Sequence, residues 1–135
     1  VTKGRKPDNL PAHLDAITEA PDPPDWLPSA GQAEWRRVMP TLVRRRTLTV
    51  ADFGVLESYC MAVGLARQAQ EQVADEGATI AAGNGRLIRH PALQTVKDFT
   101  VEARRLAAEL GLTPMSRERL GSHEGQGSFA DEFDV

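Results

Sequence analysis

The chain has a single cysteine, Cys60, so no intrachain disulfide can form. It stands among apolar residues at helical spacing, which predicts a buried, inert thiol rather than a nucleophile. Aromatic residues make up only 5% of the 135. A core must therefore be built from Leu, Val and Ala, which favours packed helices over an aromatic-rich sandwich. No apolar run approaches the roughly 20 residues that a bilayer span needs, and no hydrophobic leader is seen. The expectation is one soluble, cytoplasmic domain with no membrane partner.

Catalytic signatures are missing as well. There is no G-x-x-x-x-G-K-[ST] loop to cradle phosphate, and "GNGRL" lacks the rest of a dinucleotide fingerprint. His13, His90 and His123 lie far apart without nearby cysteines, and are read as surface or turn histidines rather than metal ligands. Ser29, Ser58, Ser116, Ser122 and Ser128 have no nucleophile context. Asp75, Glu76, Glu102 and Glu109 fall on polar helix faces, where solvation explains them. The expectation is a protein that is not an enzyme and takes no cofactor and no metal.

What is present is an uneven charge distribution. Charged residues are 26% and the net charge is only -3. Lys3, Arg5 and Lys6 nevertheless cluster at one end, Arg36, Arg37, Arg44, Arg45 and Arg46 follow, and the last residues read "DEFDV". Long cationic side chains are what phosphate contacts require, and arginine can make them bidentately. The competing explanation is a solubilising helix face with internal ion pairs. Arg86 and Arg89 flank the second apolar run of a hairpin further on, where they would face DNA or salt-bridge to a neighbouring subunit.

Residues 1–28 hold six prolines, which forbids a long helix and predicts an extended basic arm. "SAGQAEWRRVMPTLVRRRTL" predicts a first helix, with Ser29 and Gln32 at capping-box spacing and Pro40 kinking or splitting it. Thr49 and Asp52 offer the next start. From about Val50 to Glu76, Phe53, Leu56, Cys60, Val63, Ala66 and Val73 recur at three- and four-residue steps, and Gly77 ends the helix. Gly83, Asn84 and Gly85 between two short apolar runs predict a β-hairpin. Pro91 opens a third helix to Leu110, with Leu93, Val96, Phe99, Ala103, Leu106 and Leu110 as its stripe. The fold class is mainly α: a kinked first helix, then a long antiparallel helix pair joined by a small hairpin, between a flexible basic arm and an acidic tail. The expected division is 1–28, 29–120 and 121–135, the last carrying Gly/Ser linker composition and then "SFADEFDV".

Taken in order, "AEWRRVMPTL", "LTVADFGVLESYCMA", "ARQAQEQVADEG", "RHPALQ" and "LAAELGLTPMSRERL" resemble the small subunit of a tailed-bacteriophage terminase, over roughly Pro23 to Leu120. Two departures stand out: Arg46 occupies a position where glycine is expected, and the arm before Pro23 matches nothing in the family. The resemblance implies a ring-forming protein that recognises viral double-stranded DNA at the start of packaging. It also implies recruitment and regulation of a large subunit bearing the ATPase and nuclease, in the host bacterial cytoplasm. On that reading Lys3, Arg5, Lys6, Arg36, Arg37, Arg44, Arg45 and Arg46 contact DNA. Phe53, Leu56, Val63, Val96, Phe99 and Leu106 serve oligomerisation, and Phe129, Asp131, Glu132 and Phe133 meet the large subunit. The "TPMSRERL" corner would aim the tail outward, or its Arg117 and Arg119 would bind a neighbouring protomer. A helix-turn-helix regulator is the alternative, built on the short break at Leu48 and Thr49; it predicts a defined operator. A structural interaction protein without a DNA role is the third.

Overall fold

The computed structural model describes residues 14–119. Its elements, in chain order, are α1 (Ser29–Arg45), a 3-10 turn (Val50–Asp52), α2 (Phe53–Glu76), β1 (Thr79–Ala81), β2 (Leu87–Arg89) and α3 (Ala92–Glu109). Residues 114–119 form a further helical segment. The mainly helical fold class holds, with three long helices and one small antiparallel hairpin. No helix among the described residues is long and apolar enough to cross a membrane.

Helices α2 and α3 pack along their length in opposite directions. Val55 lies near Leu110, Met61 near Phe99 and Leu106, and Gln72 and Glu76 near Ala92. The hairpin makes the reversal, pairing Thr79 with Arg89, Ile80 with Ile88 and Ala81 with Leu87. Its loop, Gly83 to Gly85, closes with a turn from Gly85 N–H to Ala82 O at 2.8 Å. Gly85 sits at φ +79, the left-handed position that a three-residue hairpin loop requires and that glycine adopts freely.

The core is aliphatic, as the composition demands, with one indole at its centre. Trp35, Val38, Met39 and Leu42 from α1 meet Leu56, Tyr59 and Cys60 from α2, Leu106 and Ala107 from α3, and Leu27 and Leu48 from the connections. Trp35 stacks obliquely on Phe53 with ring centroids 6.1 Å apart. Its indole N–H donates to the Pro21 carbonyl at 2.8 Å, which satisfies a polar group the core would otherwise strand. The described part of the proline-rich stretch is irregular, with a turn at Pro24 to Leu27, and lies on the helices. Ile17 N–H bonds Leu48 O at 2.9 Å, Ala16 pairs with Thr49, and Leu27 is buried.

One local expectation is corrected, and one of the two alternatives at Pro40 is ruled out. Ser29 does not cap α1: Pro28 stands at the cap position without a side-chain bond. The Gln32 amide instead donates backwards to the Leu27 carbonyl at 3.1 Å. Pro40 does not split α1, which runs through it. Pro40 lies on the exposed side, so the Arg36 carbonyl left without its helical donor faces water. Thr49 and Asp52 form the expected start of the next helix, with Thr49 N–H donating to Asp52 Oδ2 at 2.8 Å.

Candidate nucleic-acid interface

At about 100° per residue, the sequence of α1 separates into two faces. Gly31, Trp35, Val38, Met39 and Leu42 are buried. Ala33, Arg36, Arg37, Pro40 and Arg44 are exposed and fall within an arc of about 100° on the other side. Arg36 and Arg44 bracket this strip, about 12 Å apart along the axis. Neither makes a hydrogen bond or ion pair among the described residues.

The other arginines of the run are engaged differently. Arg37 forks onto Glu34, with Nε donating at 2.8 Å to Oε2 and Nη2 donating to Oε1. Tyr59 Oη donates to the same Glu34 Oε1 at 2.7 Å. The Arg37 guanidinium, and then the Tyr59 hydroxyl, hold the Glu34 carboxyl below its ordinary range against the opposing effect of burial. The pair raises Arg37, and burial with the nearby carboxylate raises the Tyr59 hydroxyl. Arg45 Nη1 donates to the Gly111 carbonyl at 2.9 Å, fastening the end of α1 to the turn after α3. Arg46 is exposed and caps α1 in the left-handed region at φ +54, with its N–H on Val43 O. This is the position where glycine was expected, and the backbone shows why: it is the only non-glycine residue at positive φ among the described residues.

The apolar stripe residues divide by depth. Leu56 and Leu106 are buried inside the protomer's own core. They support the outer face of the helix pair from behind. Phe53, Val63, Val96 and Phe99 are half-buried and reach the surface between helices. Arg86 and Arg89 are exposed on the hairpin, and Arg117 and Arg119 on the last helical segment. Lys3, Arg5, Lys6, Phe129, Asp131, Glu132 and Phe133 lie outside the described residues.

Two groups carry more than the sequence suggested. His90, read as a surface or turn histidine, stands at the turn but is only 3% exposed. Its Nδ1 accepts the Ala92 N–H at 2.9 Å, so its proton is on Nε2, which donates to Glu76. That hydrogen bond draws the Glu76 carboxyl downward in pKa. His90 thus ties the end of α2 to the start of α3 beneath the hairpin; the His-Pro pair opening a helix was its only signal. Burial pushes the Cys60 thiol up to about 12, so it is a packing group. Among the described residues no three His, Cys, Asp or Glu side chains gather as a metal-binding group.

The corner after α3 is punctuated at every position. Leu112 N–H bonds Ala107 O at 2.9 Å and Gly111 N–H bonds Ala108 O at 3.2 Å, the paired closure that ends a helix with a left-handed glycine, here at φ +70. Thr113 then caps the next segment: Ser116 N–H donates to Thr113 Oγ1 at 3.2 Å, and Thr113 N–H donates to Ser116 Oγ at 3.1 Å. Pro114 takes the first helical position, where its missing N–H costs nothing.

Comparison with known proteins completes the picture. No curated protein and no solved structure matches the chain. A family model described as "Phage terminase, small subunit" matches residues 31–127, from the first turn of α1 through the corner after α3. That span covers most of the sequence, and the chain belongs to the phage terminase small-subunit family.

Proposed function

We propose that this terminase small subunit is a non-catalytic adaptor that recognises viral double-stranded DNA, assembles as a closed ring, and recruits and regulates the large subunit in the host bacterial cytoplasm. The observation that carries the DNA reading is the exposed arginine strip of α1, with Arg36 and Arg44 free of partners among the described residues. Arg37 is neutralised by Glu34 and Arg45 is committed to Gly111, so they shape this surface more than they charge it. Lys3, Arg5 and Lys6 would add phosphate attraction from the arm. The ring would use the half-buried Phe53, Val63, Val96 and Phe99, and the tail with Phe129, Asp131, Glu132 and Phe133 would meet the large subunit.

The direct test is a salt titration of duplex DNA binding by the parent chain and by an Arg36→Ala/Arg44→Ala variant. Arg45 stays in place, because replacing it would also unfasten α1. Each lost phosphate contact lowers the slope of log K against log salt by about one. The variant should therefore bind more weakly, with a slope shallower by about two. An unchanged slope would put the DNA contact elsewhere. Light scattering on the same samples checks the assembly: one discrete species well above a dimer supports a closed ring, and a dimer rejects it.

A further inference from the structure

The corner after α3 encloses a groove of about 610 Å³. Ala108, Pro114 and Met115 give it an apolar lining, and Arg104 and Arg119 a cationic one. Met115 is 69% exposed, an apolar side chain displayed to solvent by a tightly capped turn. Arg104 is exposed and has no hydrogen bond or ion pair among the described residues. Glu109, the one carboxylate among the described lining residues, is bound by Arg105 at 3.0 Å, so it is not paired with Arg104.

The chain itself supplies a matching ligand. Residues 120–128, "LGSHEGQGS", have the Gly/Ser composition of a tether and follow Arg119, which lines the groove. Nine such residues reach about 17 Å on average, enough to turn back to it. Residues 129–135, "FADEFDV", then place Phe129 and Phe133 four apart, with Asp131, Glu132 and Asp134 beside them. Two aromatic anchors suit the apolar lining, and the carboxylates suit the unpaired Arg104. A tether this short holds its end at millimolar effective concentration, so even a weak contact is occupied.

We propose that this groove is the docking site for the chain's own C-terminal segment, Phe129 to Asp134. A docked segment is withheld from other partners, so the groove sets how readily the tail is released to the large subunit; the docking itself does not depend on the DNA or ring readings. The test uses the full chain with methyl-labelled methionine. Met39 is buried, Met61 half-buried and Met115 lines the groove, so the three methyls report separately. The Met115 methyl should resonate upfield in the parent, under the ring of a phenylalanine. It should return to the position of an exposed methionine in a Phe129→Ala/Phe133→Ala variant, and move part of the way in Arg104→Glu. An unmoved Met39 methyl certifies the fold, and unchanged DNA affinity separates this result from the DNA reading. An identical Met115 resonance in parent and double variant overturns the proposal. So does a resonance that shifts on tenfold dilution, which would assign the groove to the tail of a second copy.

Discussion

Position 46 shows how much one side chain can cost its backbone. A β-carbon in the left-handed region meets the neighbouring carbonyl, a penalty of about 1–2 kcal/mol that glycine avoids. Arg46 accepts that penalty at φ +54 to end α1. An Arg46→Gly variant should gain about 0.5–1 kcal/mol, after the interaction of the arginine side chain and the extra chain entropy of glycine are lost. Thermal unfolding would show this as a rise of about 2–5 °C. An unchanged or lowered midpoint would mean that the side chain contributes more than the turn costs.

Among the elements, α1 and α2 approach each other closely at two glycines. A β-carbon on Gly31 would lie 2.6 Å from the Cys60 carbonyl oxygen, and one on Gly64 would lie 2.8 Å from Pro28 Cβ. The two helices meet nearly backbone to backbone there. Gly31→Ala should destabilise the domain by about 1–3 kcal/mol despite the better helix propensity of alanine, as measured by urea unfolding. A neutral result would mean that the helices can part at little cost. This contact was not legible in the sequence, because nothing in the spacing of two glycines 33 residues apart says that they face each other. Other features were legible. The Thr49 and Asp52 start, the Gly83–Gly85 loop and the α2 and α3 stripes are local patterns, and local patterns survive folding. Ser29 and Gln32 had the right spacing but lost to Pro28 and to the Leu27 carbonyl, which arrive from the preceding turn. For the arginine strip, Glu34 three residues before Arg37 was a readable sign of pairing. The reach of Arg45 to Gly111, 66 residues away, was not.

For the whole molecule, acid is a sharper probe than heat. Glu34, Glu76 and Glu102 all have carboxyl pKa values below the ordinary 4.5, drawn down by Arg37, His90 and Arg105 respectively. The unfolded chain therefore takes up protons before the folded one. Stability from these groups is complete above about pH 5 and is lost as the pH falls through the depressed values. Glu34 bridges two helices with its own oxygens, through Arg37 on α1 and Tyr59 on α2. Glu34→Gln should be less stable at neutral pH and lose less stability between about pH 5 and pH 3 than the parent does, by urea unfolding at each pH. Parallel curves for the two proteins would place the acid sensitivity elsewhere.

The two indoles sit in opposite surroundings: Trp35 is 2% exposed with its N–H on the Pro21 carbonyl, and Trp26 is 58% exposed beside Met61 and Phe99. The molecule is thereby a two-colour lamp. Trp35 should emit in the blue, sheltered from acrylamide, and Trp26 in the red, open to quenching. Chaotrope that frees the proline-rich segment should redden the first. A neighbouring protein settling over the Phe99 face should shield the second while leaving the first unchanged. One emission spectrum then reads folding and assembly separately, without any label.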